Sequence, residues 1–218
     1  GAEPIIENLS FAVKRAEYLT IIGPNGSGKT TLFKALIGTL PFSGEVAWAP
    51  NTVLGYVPQR LDIERSVPLS LRDFLESKTT GKKPDLKKYL AMVNLDPALL
   101  KSSLGSLSGG EFQRALVALA LIGDTNVLLF DEPTVGSDKP SEEQIYETLH
   151  RLQDEKGITI IAISHDLSLV NRYADKVLCL NRRTVCFGVP EEVMNAKNLT
   201  DLYGDEHYKF FHHAHGTH

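Results

Sequence analysis

The stretch Gly23-Pro24-Asn25-Gly26-Ser27-Gly28-Lys29-Thr30, continued by Thr31, sits between the β-rich run Tyr18–Ile22 and a helical pattern over Lys29–Ile37. Glycines at these positions let backbone N–H groups turn inward around one point. The helix that follows directs the positive end of its dipole at the same point. A strand, a glycine turn and a helix in that order therefore form a cradle for phosphate groups. Lys29 is expected to reach the β- and γ-phosphates of a nucleotide, and the Thr30 hydroxyl to ligate Mg²⁺. The preceding strand and the following helix argue against a glycine turn that merely reverses the chain.

The remainder reads as strands alternating with helices. Glu45–Trp48 and Val53–Val57 look like strands, Val127–Phe130 and Ile158–Ile163 like buried ones, and Lys176–Leu180 and Thr184–Phe187 like a pair across Asn181-Arg182-Arg183. Helical patterning covers Leu69–Glu76, Asp85–Asn94, Pro97–Leu100, Glu111–Ile122, Asp166–Tyr173 and Glu191–Asn195, with breaks at Gly81, Pro84 and Pro97. A further helix is expected to start at Ser141, with Gln144 completing a capping box. Such alternation implies an α/β fold with a mostly parallel sheet covered on both faces. The helical middle reads as an insertion into that core.

Val127-Leu128-Leu129-Phe130-Asp131-Glu132 is an apolar strand ending in two carboxylates. Ligands of parallel α/β sheets sit at the carboxyl ends of strands. Asp131 is placed to hold Mg²⁺ and Glu132 to act as general base on an attacking water. By itself this pattern is weak, since acidic pairs also cap surface strands. The phosphate cradle about 100 residues upstream strengthens it.

Leu107-Ser108-Gly109-Gly110-Glu111, continued by Gln113-Arg114, opens the strongest helix and would make a second anion site at its N-terminus. With the cradle and the acidic strand in this order, the sequence resembles the ABC ATPases. The resemblance extends from Ile5 to about Pro190. It implies a P-loop NTPase (RecA-like) core with an inserted helical subdomain, in one domain: core 1–67 and 123–195, helical subdomain 68–122, and a histidine-containing tail 196–218. It further implies that Gln59, in Gly55-Tyr56-Val57-Pro58-Gln59, senses Mg²⁺ and the attacking water, and that His165 contacts the γ-phosphate. Asp138 corresponds to the aspartate of the D-loop, although Ser137 stands where the family usually has leucine. Two copies would close head to tail, ATP lying between the P-loop of one and Ser108–Gly110 of the other. The partners implied are that second copy, membrane permease subunits and, indirectly, an extracytoplasmic solute-binding protein, with the chain peripheral on the cytoplasmic face of the cell membrane. The family's adenine-stacking aromatic is expected upstream of a segment like Ile5–Val13, and Tyr18 is expected to be a strand residue instead.

Softer matches are similar to the ATPases of zinc and manganese importers: Gly55 to Arg60, Val67-Pro68-Leu69-Ser70-Leu71, Ser164-His165-Asp166-Leu167 and Val177 to Asn181. His207, His212, His213, His215 and His218 crowd the last dozen residues, and imidazoles suit zinc and its neighbours. A polar terminus without a ligand is the plain alternative, and the spacing matches no closed structural zinc site. Another cargo, such as a chelated metal or small organic solute, stays open. A non-transport ABC ATPase is disfavoured because Lys29 and Ser108 are too close for an intervening coiled coil. A nucleotide-binding module without turnover is disfavoured by Glu132.

Composition agrees with this reading. A formal net charge of −4 gives no bulk attraction to nucleic acid. The longest apolar run, Ala115–Ile122, is closed by Gly123-Asp124 and is too short to cross a bilayer. The opening Gly-Ala-Glu-Pro does not resemble a signal peptide. The only cysteines, Cys179 and Cys186, lie in apolar β-like stretches and are expected to pack in the core of a protein kept in a reducing compartment. A metal or redox pair is the lesser reading, because the spacing is not Cys-x-x-Cys.

Overall fold

In the computed structural model, residues 3–59, 61, 68–79, 83–131 and 139–204 are described. They divide into two compact units, one of Gly1–Ala47 with Ile161–His218 and one of Trp48–Ile160.

The first unit is built around β1 (Tyr18–Ile22), whose five residues are all buried. A strand hidden on both faces reads as an unbroken apolar run, and this one does. It pairs in parallel with β5 (Lys176–Leu180), with Ile22 opposite Cys179. β5 in turn pairs antiparallel with β6 (Thr184–Gly188). On the other flank of β1 lies the end of β4 (Thr159–Ile163), where the Ser164 N–H donates to Ile21 O at 3.2 Å. Helices α1 (Lys29–Leu36), α6 (Leu167–Tyr173), α7 (Pro190–Val193) and α8 (Ala196–Tyr203) belong to this unit. Each of the last three starts at a residue that suits an N-terminus. The Asp166 carboxylate accepts from the N–H groups of Ser168 and Leu169, Pro190 occupies the first turn, and the Asn195 side chain accepts from Asn198 N–H. Ile22, Val170, Val177, Cys179, Cys186, Val193 and Leu202 form one apolar cluster.

In the second unit β2 (Leu54–Val57) pairs in parallel with β3 (Val127–Asp131), and the start of β4 follows β3, the Thr159 N–H donating to Asn126 O. Helices α2 (Leu71–Glu76), α3 (Leu86–Met92), α4 (Gly109–Leu121) and α5 (Lys139–Lys156) cover this unit, with short 3-10 turns at Pro97–Lys101 and Leu104–Ser106. α4 is its centre. Ala115, Val117, Ala118 and Leu121 on it are essentially inaccessible, and Phe112 stacks on Phe74 of α2. Its C-terminal end is held at one carbonyl. Ala120 O accepts from Lys78 Nζ at 2.6 Å and from Thr125 Oγ1 at 2.7 Å. Desolvation holds the Lys78 ammonium below the usual lysine range, while the negative end of the helix dipole favours its charge there. β2 crosses beneath the same carbonyl at Gly55, where a Cβ would lie 2.6 Å from Ala120 O.

The parallel sheet with one antiparallel edge pair agrees with expectation, and so do the helices, most of them shifted by a residue or two at their ends. Four expectations change. Glu45–Trp48 is not a strand: no strand among the described residues pairs with it, and a lone extended segment leaves its N–H and C=O groups to water. Ser141 does not cap α5, which begins at Lys139. The Gln144 side chain instead accepts from Arg114 of α4 at 3.1 Å. Beyond Asn195 the chain forms α8, whose Leu202 is 1% exposed, so residues 196–203 are folded. The cysteines pack in the apolar cluster as expected, but they are joined as a disulfide rather than kept as free thiols. The β5–β6 register sets Cys179 directly opposite Cys186 with Cα atoms 4.8 Å apart, inside the range a disulfide spans. A hairpin achieves this proximity, and the helical Cys-x-x-Cys spacing rule does not describe it.

Candidate nucleotide site

The glycine turn lies between β1 and α1, as the sequence predicts. Gly26 and Gly28 have φ of 78° and 103°, a region costly for any side chain. Gly23 is required for a different reason: a Cβ there would lie 2.0 Å from Leu180 O on β5. The turn is tied to its surroundings by backbone bonds, from Ser27 N–H to Pro24 O and from Arg182 N–H to Ser27 O. Ile6 packs over it, its Cγ1 only 2.7 Å from where a Gly28 Cβ would stand.

Lys29 is 7% exposed, and its ammonium donates to Gly23 O at 2.8 Å and Pro24 O at 2.9 Å. The charge is thus held across the turn. α1 has no acidic residue in its first turn and no side-chain cap at Gly28. Nothing on the helix itself cancels its positive end, which suits an anion. Thr30 and Thr31 follow in that first turn and are half-buried. Ser164 is fully buried beside Ile21, and His165 follows it. The histidine is therefore at the carboxyl end of β4, the same end of this unit's strands as the glycine turn.

In the second unit Asp131 closes β3 and is 2% exposed. Tyr56, on the neighbouring β2, donates from its hydroxyl to Asp131 Oδ2 at 3.4 Å. Burial, with the Asp131 carboxylate beside it, pushes the Tyr56 phenol up to about 12. Sequence reading missed this pairing. Its signal was the register: Tyr56 is opposite Leu129, two residues before Asp131 and on the same face. Gln59 is exposed two residues past the end of β2, so it shares the carboxyl end of this strand pair with Asp131. A nearly buried carboxylate at a strand end is a hard oxygen donor that fits Mg²⁺.

Ser108 caps α4 through a complete capping box. Its hydroxyl accepts from Glu111 N–H at 3.3 Å and donates to Glu111 Oε2 at 2.8 Å, and its own N–H donates to the same carboxylate oxygen at 2.8 Å. These bonds, the backbone one first, hold the Glu111 carboxyl below the usual glutamate range. Leu107 is buried beneath the turn, and Ser108 and Gly109 face solvent. Gly110 is buried because α5 approaches closely: a Cβ there would lie 3.2 Å from Ser141 Oγ.

Glu132, Asp138 and all five tail histidines (His207, His212, His213, His215 and His218) lie outside the described residues, as do Arg60 and Val67. Among the described residues no group of three or more His, Cys, Asp or Glu could hold a metal ion, and no helix is long and apolar enough to cross a membrane.

A glycine cradle on a mostly parallel α/β sheet with an inserted helical segment defines the class: a P-loop NTPase core of the ATP-binding-cassette kind. Comparison with known proteins agrees. The sequence matches the ABC transporter family over residues 6–135. It is 40% identical over 205 residues to the zinc import ATP-binding protein ZnuC of Cereibacter sphaeroides, across 94% of this chain and 84% of that protein. It is also 40% identical over 220 residues to the zinc import ATP-binding protein ZnuC 2 of Hahella chejuensis, across 99% and 90%. A solved structure described as an inward-facing metal-chelate type ABC transporter superposes with a TM-score of 0.80 at 27% identity, covering 90% of this chain and 81% of that one. The chain belongs to the ABC transporter family, and it binds and hydrolyses ATP to drive transport.

Proposed function

We propose that this chain powers the import of a divalent metal ion, zinc in the first instance. The observation that carries the proposal is 40% identity to zinc import ATP-binding proteins along almost the whole chain. Manganese is the neighbouring choice, since the ATPase itself touches nucleotide and permease rather than cargo.

In this reading the backbone of Gly23–Gly28 and the start of α1, with Thr31 in its first turn, bind the phosphates. Lys29 exchanges its two carbonyl partners for phosphate oxygens. Thr30, Asp131 and Gln59 supply oxygen ligands for Mg²⁺, which would neutralise charge on the β- and γ-phosphates when bound. Glu132 takes the proton of the attacking water as its oxygen bonds to the γ-phosphorus and ADP leaves. His165 holds the γ-phosphate. Leu107–Glu111 serve the nucleotide of a second copy, and Asp138 lines the contact between copies. The chain works as one cassette, with 1–67 and 123–195 as core, 68–122 as helical arm and 196–218 as a tail that begins with α8. It is peripheral on the cytoplasmic face, docked on permease subunits that receive cargo from an extracytoplasmic binding protein.

The test is ATP turnover by this subunit assembled with its permease and binding protein in lipid. Turnover should rise with Zn²⁺ when the binding protein is present. Turnover indifferent to Zn²⁺ and Mn²⁺ overturns the metal assignment and leaves the ATPase.

A further inference from the structure

The disulfide partners occupy a position that the nucleotide chemistry leaves unused. Cys179 is the middle of a three-strand register. Across β1–β5 it faces Ile22, the residue immediately before Gly23, and across β5–β6 it faces Cys186. The next residue, Leu180, presents the carbonyl that Gly23 approaches so closely that no Cβ could fit. The hairpin turn beyond it donates Arg182 N–H to Ser27 O at 3.0 Å and accepts Glu7 N–H at Arg182 O at 2.8 Å. Thus the end of the β5–β6 hairpin is a backbone support for the phosphate cradle, and Cys179 immediately precedes it. The β5–β6 register shifts between Cys179 and Leu180. An irregular ladder transmits position poorly, so a covalent bond at its last regular rung fixes what the ladder alone would leave loose.

We propose that Cys179 and Cys186 are a redox-exchangeable pair whose oxidation state sets the affinity of the Gly23–Thr30 cradle for nucleotide. The inference rests on the cradle being the nucleotide site. When the bond is intact, the two strands are pinned at the rung next to the turn. When it is reduced, that rung is held only by strand pairing and by the apolar cluster that includes Ile22, Val177 and Val193, and the Leu180–Arg182 end of the hairpin loses its covalent tie beside Gly23 and Ser27.

The chemistry is thiol–disulfide exchange with a low-molecular-weight disulfide such as glutathione disulfide. Cys186 is 9% exposed, on β6 at the edge of the sheet, while Cys179 is fully buried. The Cys186 thiolate attacks one sulfur of the small disulfide, forms a mixed disulfide and releases one small thiol. The Cys179 thiolate then attacks the Cys186 sulfur and releases the second. Two protein thiols are oxidised, one small disulfide is reduced to two thiols, and the two protons end on those thiols. The reverse exchange opens the bond.

The test uses the full chain equilibrated at a series of glutathione to glutathione disulfide ratios, with thiol trapping and mass spectrometry to count the bond. A fluorescent ATP analogue with Mg²⁺ is titrated at each ratio. Affinity should follow the bonded fraction, the oxidised form binding roughly five- to tenfold tighter, the lower end of coupling between linked sites. Cys179→Ala with Cys186→Ala should show one affinity at every ratio. Equal affinity of the fully oxidised and fully reduced chain overturns the proposal, and so does the same shift persisting in the double variant. If that variant does not fold, the comparison of the two states of the unaltered chain decides alone. Lys29→Ala should bind at neither extreme, and retained binding there would sink the cradle assignment independently of the redox result.

Discussion

Gly55→Ala isolates one close approach in the second unit. The added Cβ would sit 2.6 Å from Ala120 O and 2.8 Å from Thr125 Cγ2. The oxygen is backbone, accepts bonds from Lys78 and Thr125, and belongs to the last turn of α4, so it cannot swing aside as a flexible side chain could. Ordinary contact needs 3.4 Å, so strand and helix must part by about 0.8 Å. Overpacking of this kind costs about 1–3 kcal/mol. Alanine recovers roughly 0.5–1 kcal/mol over glycine inside a strand. A rigid backbone atom at this distance puts the cost in the upper half of that range, about 2–3 kcal/mol, so the expected net loss is about 1–2.5 kcal/mol, or a fall in Tm of about 2–10 °C for a chain of this size. Calorimetry and urea titration measure it, the midpoint dropping with an unchanged slope. Adding Thr125→Ser removes the Cγ2 clash but not the carbonyl clash, so it should restore only part. An unchanged or raised Tm in Gly55→Ala would refute the argument that α4 rests on β2 at this carbonyl.

Other substitutions probe the site. Glu132→Gln should abolish turnover while nucleotide binding and an ATP-held dimer persist, and turnover surviving in this variant removes Glu132 from the role of base. Ser108→Ala should cost about 1 kcal/mol of stability through loss of the cap. Because the folded Glu111 carboxyl is held below its ordinary value of 4.5, its contribution is present above that pH and lost as pH falls through the lowered value. The acid limb of the stability curve should therefore flatten in Glu111→Gln, and identical limbs would contradict the cap. The Tyr56 phenol, pushed from 10.0 to about 12, deprotonates first in the unfolded chain, so stability should decline from about pH 10 toward 12. Ultraviolet titration should find one late tyrosine that Tyr56→Phe removes. Deleting Glu206–His218 should lower Zn²⁺ affinity and spare ATPase activity, and equal binding by calorimetry would rule out the histidine tail as a ligand.

What was legible in the sequence follows from where the constraint is local. The cradle is local: glycines at positive φ, a lysine and a helix start are consecutive, and the structure puts them where the motif says. β1, β3 and β4 are runs of apolar residues because both their faces are covered, and their buried pattern matches. The Glu45–Trp48 segment reads like a strand but has no partner among the described residues, and pairing is a non-local property. Tyr56 beside Asp131, Gly55 under Ala120, and Arg182 holding Ser27 depend on register between segments more than 60 residues apart. No spacing rule along the chain reports them. The disulfide was obscured for the same reason, since a hairpin register rather than a helical turn brings Cys179 to Cys186.

The bonds around Ser108 have a consequence for association. Its hydroxyl and its N–H are both engaged by the Glu111 carboxylate of the same turn. A phosphate arriving there meets a negative charge already in residence, so a stray singly charged anion gains little by displacing it. In the head-to-tail arrangement proposed above, a nucleotide held on a second copy would arrive with several charges and many fixed contacts, enough to displace the carboxylate. On that proposal the turn is self-quenched in the solitary chain and would become a donor only on encounter, making anion recognition at this surface conditional on a delivered ligand rather than on ambient concentration.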